Sequence, residues 1–403
     1  MDIENKICFF LNWSREIDMY KNTYDNLSKN SFVFVINDLN RKNLAHELEK
    51  KKIINFLENN NLKYYFLTKI FRKKKFKLLI STGDLSIPNF NLLHSFKYLY
   101  ANTVGRVLQF FRLDILSNFY FGKDLSLGGK NTLFFDEKFI EKEISINSVK
   151  FPNGLDRNIK FFPNKKWKNV FDIYLTSSKI ERFLIKKKFP SKKVYNIGFP
   201  KLDNGNSKIL CKKKIINEFK LNSKKKIIVY LPTLSEQKKS IVKDYISELK
   251  NISLHFNLIV RPHPKEKDLN KDKFNLLKRS KLKLDLHDGR DTSQLISAAD
   301  LIITDGGSSL LESIYLKKRI LIHNWQNKVD LKTIEDRLKN KSRLDVIIIK
   351  DMPKKENLND INYIKKALNN KLLINKIKKL RAKYFIVKDK VLAENIIKKN
   401  FLI

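Results

Sequence analysis

Short apolar runs separated by longer helix-forming stretches constrain this chain more than any other feature. Lys6–Leu11 (KICFFL), Phe32–Ile36 (FVFVI), Phe76–Ser81 (FKLLIS) and Phe171–Ser177 (FDIYLTS) fall in the first half. Lys226–Leu231, Phe256–Arg261, Leu282–Leu286, Leu301–Thr304, Arg319–His323 and Asp345–Ile349 follow in the second. Continuous rather than alternating apolar runs suit parallel strands covered on both faces. Stretches such as DTSQLISAAD between them complete repeated strand–helix units. The expected class is α/β, with two doubly wound Rossmann-like domains facing each other across a cleft. Gly, Pro, Asp and Asn cluster at Ile197–Lys208, which places the boundary there. An N-terminal domain then covers 1–203, with an insertion or loop at about 122–166. A C-terminal domain covers 204–403 and ends in basic helices from about residue 374.

The chain has 403 residues and is 42% hydrophobic, enough for two full cores and too much for a disordered chain. No apolar run approaches the roughly 18 residues that span a bilayer. The N-terminal MDIENKICFF lacks the pattern of a signal peptide. The expectation is a cytoplasmic protein with Cys8 and Cys211 reduced. The formal charge is +41, from 83 Lys and Arg against 42 Asp and Glu. Either an anionic partner explains it (a nucleotide, an acidic membrane surface, a nucleic acid), or the coding composition favours lysine everywhere. Zinc-finger spacing, an arginine-rich arm and ribonucleoprotein motifs are absent, which argues against specific nucleic-acid recognition. No carboxylate, His or Cys spacing points to a metal or other cofactor.

Four motifs stand just after strands, where ligands of doubly wound sheets bind. In Leu301–Ser313 (LIITDGGSSLLES) the strand is followed by a turn, Asp305-Gly306-Gly307, and a helix. Ser308 or Ser309 can cap that helix, and Ser309 to Glu312 has capping-box spacing. Free amides, close approach at glycine and two hydroxyls suit a diphosphate; a well-capped helix without a ligand explains the same residues. Glu312 either completes the cap or accepts hydrogen bonds from ribose hydroxyls. In LIVRPHPKE, Arg261 can grip phosphate and His263 can donate to it or shuttle a proton. In VYLPTLSE, Thr233 can bond phosphate or close a turn. IGFPKLD, Ile197–Asp203, reads as a hinge and cleft wall or as a plain turn.

Together SSKIERFLIKKKFPSKKVYNIGFPKLD, VYLPT, RPHP and TDGGSSLLESIYLKKRILIH resemble, in order and spacing, the CDP-glycerol glycerophosphotransferase family of teichoic-acid and capsule synthesis. The resemblance covers about Phe171–Asn324. It implies a GT-B fold and a peripheral membrane enzyme. Such an enzyme moves a polyol phosphate from a CDP-activated donor to a hydroxyl of a lipid-linked or polymeric glycan, releasing CMP. It implies that Thr233, His263, Ser308 and Ser309 hold the CDP phosphates and that Asp305 and Glu312 shape the nucleotide pocket. The family's first domain carries Trp-His-Gly, whose histidine is the base. This chain has no such triplet; the nearest histidine is His94 in NFNLLHSFKYLY, followed by Ser95 rather than glycine. A helix histidine is the alternative reading of His94. Gly306-Gly307 replaces a bulkier residue of many relatives, which leaves the donor open.

The expected chemistry is in-line attack of an acceptor hydroxyl on the polyol-bearing phosphorus, with His94 as base. CMP departs towards the helix terminus at Ser308-Ser309, His263 and Arg261. A GT-B glycosyltransferase using a nucleotide sugar and a UDP-sugar 2-epimerase are the rival readings of the same cradle.

Overall fold

The computed structural model describes residues 4–38, 44–71, 75–83, 139–155, 162–203, 208–233, 245–264, 266–269, 271–287, 290–323, 343–385 and 392–401. The first sheet is built from β1 (Ile7–Leu11), β2 (Phe32–Ile36), β3 (Tyr64–Phe66), β4 (Phe76–Ser81), β5 (Ser145–Lys150), β6 (Ile173–Thr176) and β7 (Lys193–Asn196). Its order is β3-β2-β1-β4-β5-β6-β7. The second sheet is built from β8 (Ile227–Leu231), β9 (Asn257–Val260), β10 (Lys283–Leu284), β11 (Leu301–Thr304), β12 (Arg319–His323) and β13 (Lys354–Lys355). Its order is β10-β9-β8-β11-β12-β13. Every pairing among the described residues is parallel. Both sheets reverse their direction of growth once, between β1 and β4 and between β8 and β11, which creates a crevice at the carboxyl ends of those strands. This is the α/β, GT-B-like architecture expected from the apolar runs.

The strands earn their place by burial on both faces. All five residues of β1, β2 and β8 are buried. Successive side chains point to opposite sides. Ile7, Phe9 and Leu11 therefore enter one apolar cluster while Cys8 and Phe10 enter another. Ile228 and Tyr230 likewise part from Ile227, Val229 and Leu231. Phe9 sits 5.2 Å from Tyr20 and 5.6 Å from Phe32, ring centre to ring centre, inside this core.

Eight helices place the parts used below: α1 (Arg15–Tyr24), α2 (Lys179–Lys188), α3 (Pro200–Asp203), α4 (Thr292–Ala298), α5 (Gly307–Tyr315), α6 (Leu344–Ile349), α7 (Lys371–Tyr384) and α8 (Ala393–Phe401). The last two fold back onto the first half of the chain. Leu373, Ile377, Ile396 and Phe401 share one buried cluster with Phe9 and Phe34 and with Leu310 and Ile314 of α5. The two lobes are thus joined by a common apolar core as well as by the chain.

Two sequence expectations need correction. Asp345–Ile349 (DVIII) is helical, not a strand. A short apolar run has no periodicity to separate strand from buried helix, and Asp345 is drawn into contacts with Gly307 and Arg343 instead. Residues 122–166 are not wholly an insertion, because 145–150 form β5 between β4 and β6. Its sequence, SINSVK, is too polar to read as a central strand. Tertiary partners satisfy those groups: Ser148 Oγ donates to the Val170 carbonyl, and the fully buried Lys150 pairs with Glu181 at 3.1 Å. β3 and β7 are short and were equally unreadable.

Candidate functional site

The second switch point gathers the motifs. β9, β8 and β11 are neighbours, so RPHP, Pro232-Thr233 and Asp305–Ser309 emerge side by side at their carboxyl ends. Thr304 Oγ1 donates to the Leu231 carbonyl at 2.8 Å, closing β11 on β8. One step further, the Asp305 carboxylate accepts the Thr233 amide and the Thr233 hydroxyl, both at 2.8 Å. The hydroxyl's hydrogen is thereby committed, so Thr233 braces the crevice with Asp305 and does not point a donor into it.

The turn then depends on glycine. Gly306 has φ +140° and Gly307 φ +67°, conformations that side chains resist. A Cβ on Gly307 would lie 3.1 Å from Thr233 Cγ2, and one on Gly306 3.0 Å from Ile349 Cδ1. Gly306 itself is the N-cap of α5, with no side-chain cap. The expected serine cap is therefore replaced: Ser308 and Ser309 lie inside the first turn. The Gly307 amide donates to Asp345 Oδ2 at 2.9 Å, and Arg343 neutralises that carboxylate through two hydrogen bonds of 3.0 and 2.9 Å. Among the described residues no acceptor takes the amides of Ser308 and Ser309. Ser308 is exposed and Ser309 half-buried. Two amides, two hydroxyls and the positive end of a helix are the groups that an anion site uses.

Arg261 is also committed. Its guanidinium donates to Asp285 and, at 2.7 Å, to the Arg290 carbonyl. Arg290 donates to the other oxygen of Asp285 at 3.0 Å and pairs with Glu218. Arg261 therefore fixes the end of β9, and its phosphate grip is not free. His263, half-buried, lines an open cleft beyond β9 and β10 together with Lys267, Phe274, Leu286 and His287. His287 escaped the sequence reading. Its signal was present: it follows the end of β10 by three residues, as His263 follows the end of β9.

Glu312 sits on α5 one turn before Tyr315, on the same face. Tyr315 binds the segment between the sheets, donating to Asp203 Oδ1 at 2.8 Å and accepting the Phe199 amide at 2.9 Å. Burial pushes the Glu312 pKa up against the pull of Lys201; Asp291 adds to the rise and Arg261 opposes it. His94 lies outside the described residues, as does the side chain of Cys211; Cys8 is a buried free thiol.

The first switch point is built differently. Glu16 of α1 is fully buried and accepts the amides of Asn12 and Trp13, at 2.5 and 3.0 Å, after β1. Its other oxygen accepts Thr82 Oγ1, beyond the end of β4. Among the described residues no helix is long and apolar enough to cross a membrane, and no three His, Cys, Asp or Glu side chains gather as a metal site.

Solved structures share this fold. The wall teichoic acid polymerase TagF superposes with a TM-score of 0.57 at 13% identity, over 99% of this chain and 88% of that one. A TagF variant soaked with CDPG gives 0.57 at 14%, over 100% and 90%. The UDP-GlcNAc 2-epimerase from Neisseria meningitidis bound to UDP-GlcNAc gives 0.52 at 13%, over 98% and 99%. No curated protein matches the chain in sequence at a significant level. The family model described as CDP-Glycerol:Poly(glycerophosphate) glycerophosphotransferase matches residues 156–399, which takes in β6 to α7, most of α8 and every motif of the second switch point. The chain belongs to the CDP-glycerol:poly(glycerophosphate) glycerophosphotransferase family and is a transferase of that type.

Proposed function

We propose that the enzyme transfers glycerol phosphate from CDP-glycerol to a hydroxyl of a lipid-linked or polymeric surface glycan, releasing CMP. The observation that carries this reading is the start of α5, whose Ser308 and Ser309 amides have no acceptor among the described residues, after β11 in a chain of this family. The donor's diphosphate rests on those amides and hydroxyls, with His263 beside it. The cytidine lies towards the cleft of His263 and His287, and Glu312 accepts from the ribose hydroxyls. Thr233, Asp305 and Arg261 hold the geometry from behind.

The acceptor approaches from the lobe of residues 1–203, opposite the donor lobe of 204–403. Its hydroxyl oxygen attacks the glycerol-bearing phosphorus, the bond from that phosphorus to the bridging oxygen breaks, and CMP leaves with the electron pair. The hydroxyl proton passes to His94, the base of this reading. The helix terminus stabilises the charge gathering on CMP. The amphipathic helices α2 and α7 expose Lys179, Lys186, Lys187, Lys378, Lys379 and Lys383 and no exposed carboxylate, which supports peripheral docking on an acidic membrane face.

A calorimetric titration and a thermal-shift series with CDP-glycerol, CDP-ribitol, UDP-GlcNAc and CMP test the donor. CDP-glycerol is expected to bind and raise the Tm most, and His263→Ala to remove most of that response. Preference for UDP-GlcNAc would turn the reading to a glycosyltransferase, and no response to any nucleotide would overturn it.

A further inference from the structure

Helix α6 packs against the turn between β11 and α5, and two of its residues, one helical turn apart, meet the glycine pair. A Cβ on Gly306 would lie 3.0 Å from Ile349 Cδ1 and 3.5 Å from Asp345 Oδ2. The same Asp345 oxygen accepts the Gly307 amide at 2.9 Å, so a carboxylate from a distant part of the chain takes the place of the expected serine cap. That carboxylate is itself held. Arg343, the N-cap residue of α6, donates Nε to Oδ1 at 3.0 Å and Nη2 to Oδ2 at 2.9 Å. The pair is unevenly placed: the Asp345 side chain is 5% exposed and the Arg343 side chain 33%. The anion is buried, and the cation is the part that meets solvent.

We propose that Arg343 is a positioning residue for the donor: it cancels the charge of Asp345 at the first turn of α5, so that a carboxylate braces the turn and the turn still receives a diphosphate. The inference rests on the donor reading above. A carboxylate at a helix N-terminus is stabilising in itself, and Glu16 serves that way in the other lobe. One residue before the Ser308 and Ser309 amides, a lone carboxylate would also repel the phosphates of the donor, and a buried charge is screened little by solvent. A serine hydroxyl would cap the helix without bringing that charge. Here the cap is a carboxylate and a guanidinium in a planar, bidentate pair, which fixes the cation as well as the anion. Arg343 Nη2 and the Gly307 amide share one acceptor oxygen, so the guanidinium stands at the helix start. Arg261, the cation that the sequence motifs offered for this role, is turned to Asp285 instead.

The test is CDP-glycerol affinity by calorimetry on the full chain, at about 50 and about 300 mM NaCl, for the wild type, Arg343→Gln, Asp345→Asn and the double variant. Arg343→Gln leaves Asp345 charged and uncompensated. It is expected to weaken the donor about tenfold at low salt and clearly less at high salt. Asp345→Asn keeps an oxygen for the Gly307 amide, leaves the cation in place and tightens the donor about threefold at low salt. The double variant, with both charges gone and the cap oxygen kept, returns to within about threefold of the wild type. A role confined to holding α6 in place predicts otherwise, because each single variant would then weaken the donor and salt would not change the loss. If Arg343→Gln does not fold, Asp345→Asn decides alone. An affinity unmoved by Arg343→Gln, a loss equal at both salt concentrations, a double variant as weak as Arg343→Gln, or an Asp345→Asn chain that fails to tighten overturns the inference and leaves the donor reading intact. A wild type that does not bind CDP-glycerol overturns both.

Discussion

The two switch points share a topology and differ in what closes them. After β1 and β4, the buried Glu16 carboxylate takes the Asn12 and Trp13 amides and the Thr82 hydroxyl, so the protein's own anion fills the crevice. After β8 and β11, Asp305 is turned sideways onto Thr233, and among the described residues no acceptor takes the Ser308 and Ser309 amides. The same strand–turn–helix geometry attracts negative charge in both places. One lobe satisfies that demand internally; in the other, the proposed donor's diphosphate would meet it. A doubly wound half therefore announces a binding site only where its first helical turn lacks an internal acceptor.

The comparison can be broken from either side. The largest expected effect is on the closed side. Glu16→Ala orphans three donors, and at about 1 to 3 kcal/mol each the chain loses at least about 3 kcal/mol of stability. Chemical unfolding measures it; a cost below about 1 kcal/mol would mean that Glu16 is no plug. Next comes Gly307→Val on the open side, which forces a β-branched residue to φ +67° and drives its Cβ against Thr233. Strain of about 1 to 3 kcal/mol and a blocked crevice should weaken CDP-glycerol by about a hundredfold in calorimetry. The double change Ser308→Ala, Ser309→Ala keeps the amides and removes two hydroxyls, so a loss of only about tenfold is expected. A loss as deep as that of Gly307→Val would shift the weight from backbone to side chain.

The smallest effect sharpens the comparison through pH. Desolvation of the half-buried Glu312 carboxyl holds its pKa above the usual value. A carboxylate of this kind costs stability when ionised, at pH above its folded pKa, and the cost disappears as pH falls below the unfolded value. Glu312→Gln should therefore raise the Tm slightly at pH 7, with the gain vanishing towards pH 4, while weakening the donor. Stability given up at a ligand-facing group is the expected signature of function. No gain at pH 7 would mean that burial does not hold the Glu312 carboxyl above its usual range.

Much of this was legible in the chain. β1, β2, β4, β8, β11 and β12 could be read because their residues are apolar on both faces, whatever surrounds them. The glycines at 306 and 307 marked the turn after β11, where Thr233 and Ile349 pack closely. The roles of Thr233 and Arg261 were not legible, because their positions suit a ligand equally well as a neighbour. Only the fold brings Asp305 and Asp285 within reach of them.

The sequence by itself determined the two parallel sheets and the placing of four motifs at strand ends, since burial on both faces and backbone freedom at glycine are local properties. Tertiary structure alone decided which groups remain for a ligand. Hydrogen-bond donors are few and each is used once, so whether Thr233 or Arg261 faces a substrate depends on partners as far away in the chain as Asp305 is from Thr233 and Asp285 from Arg261.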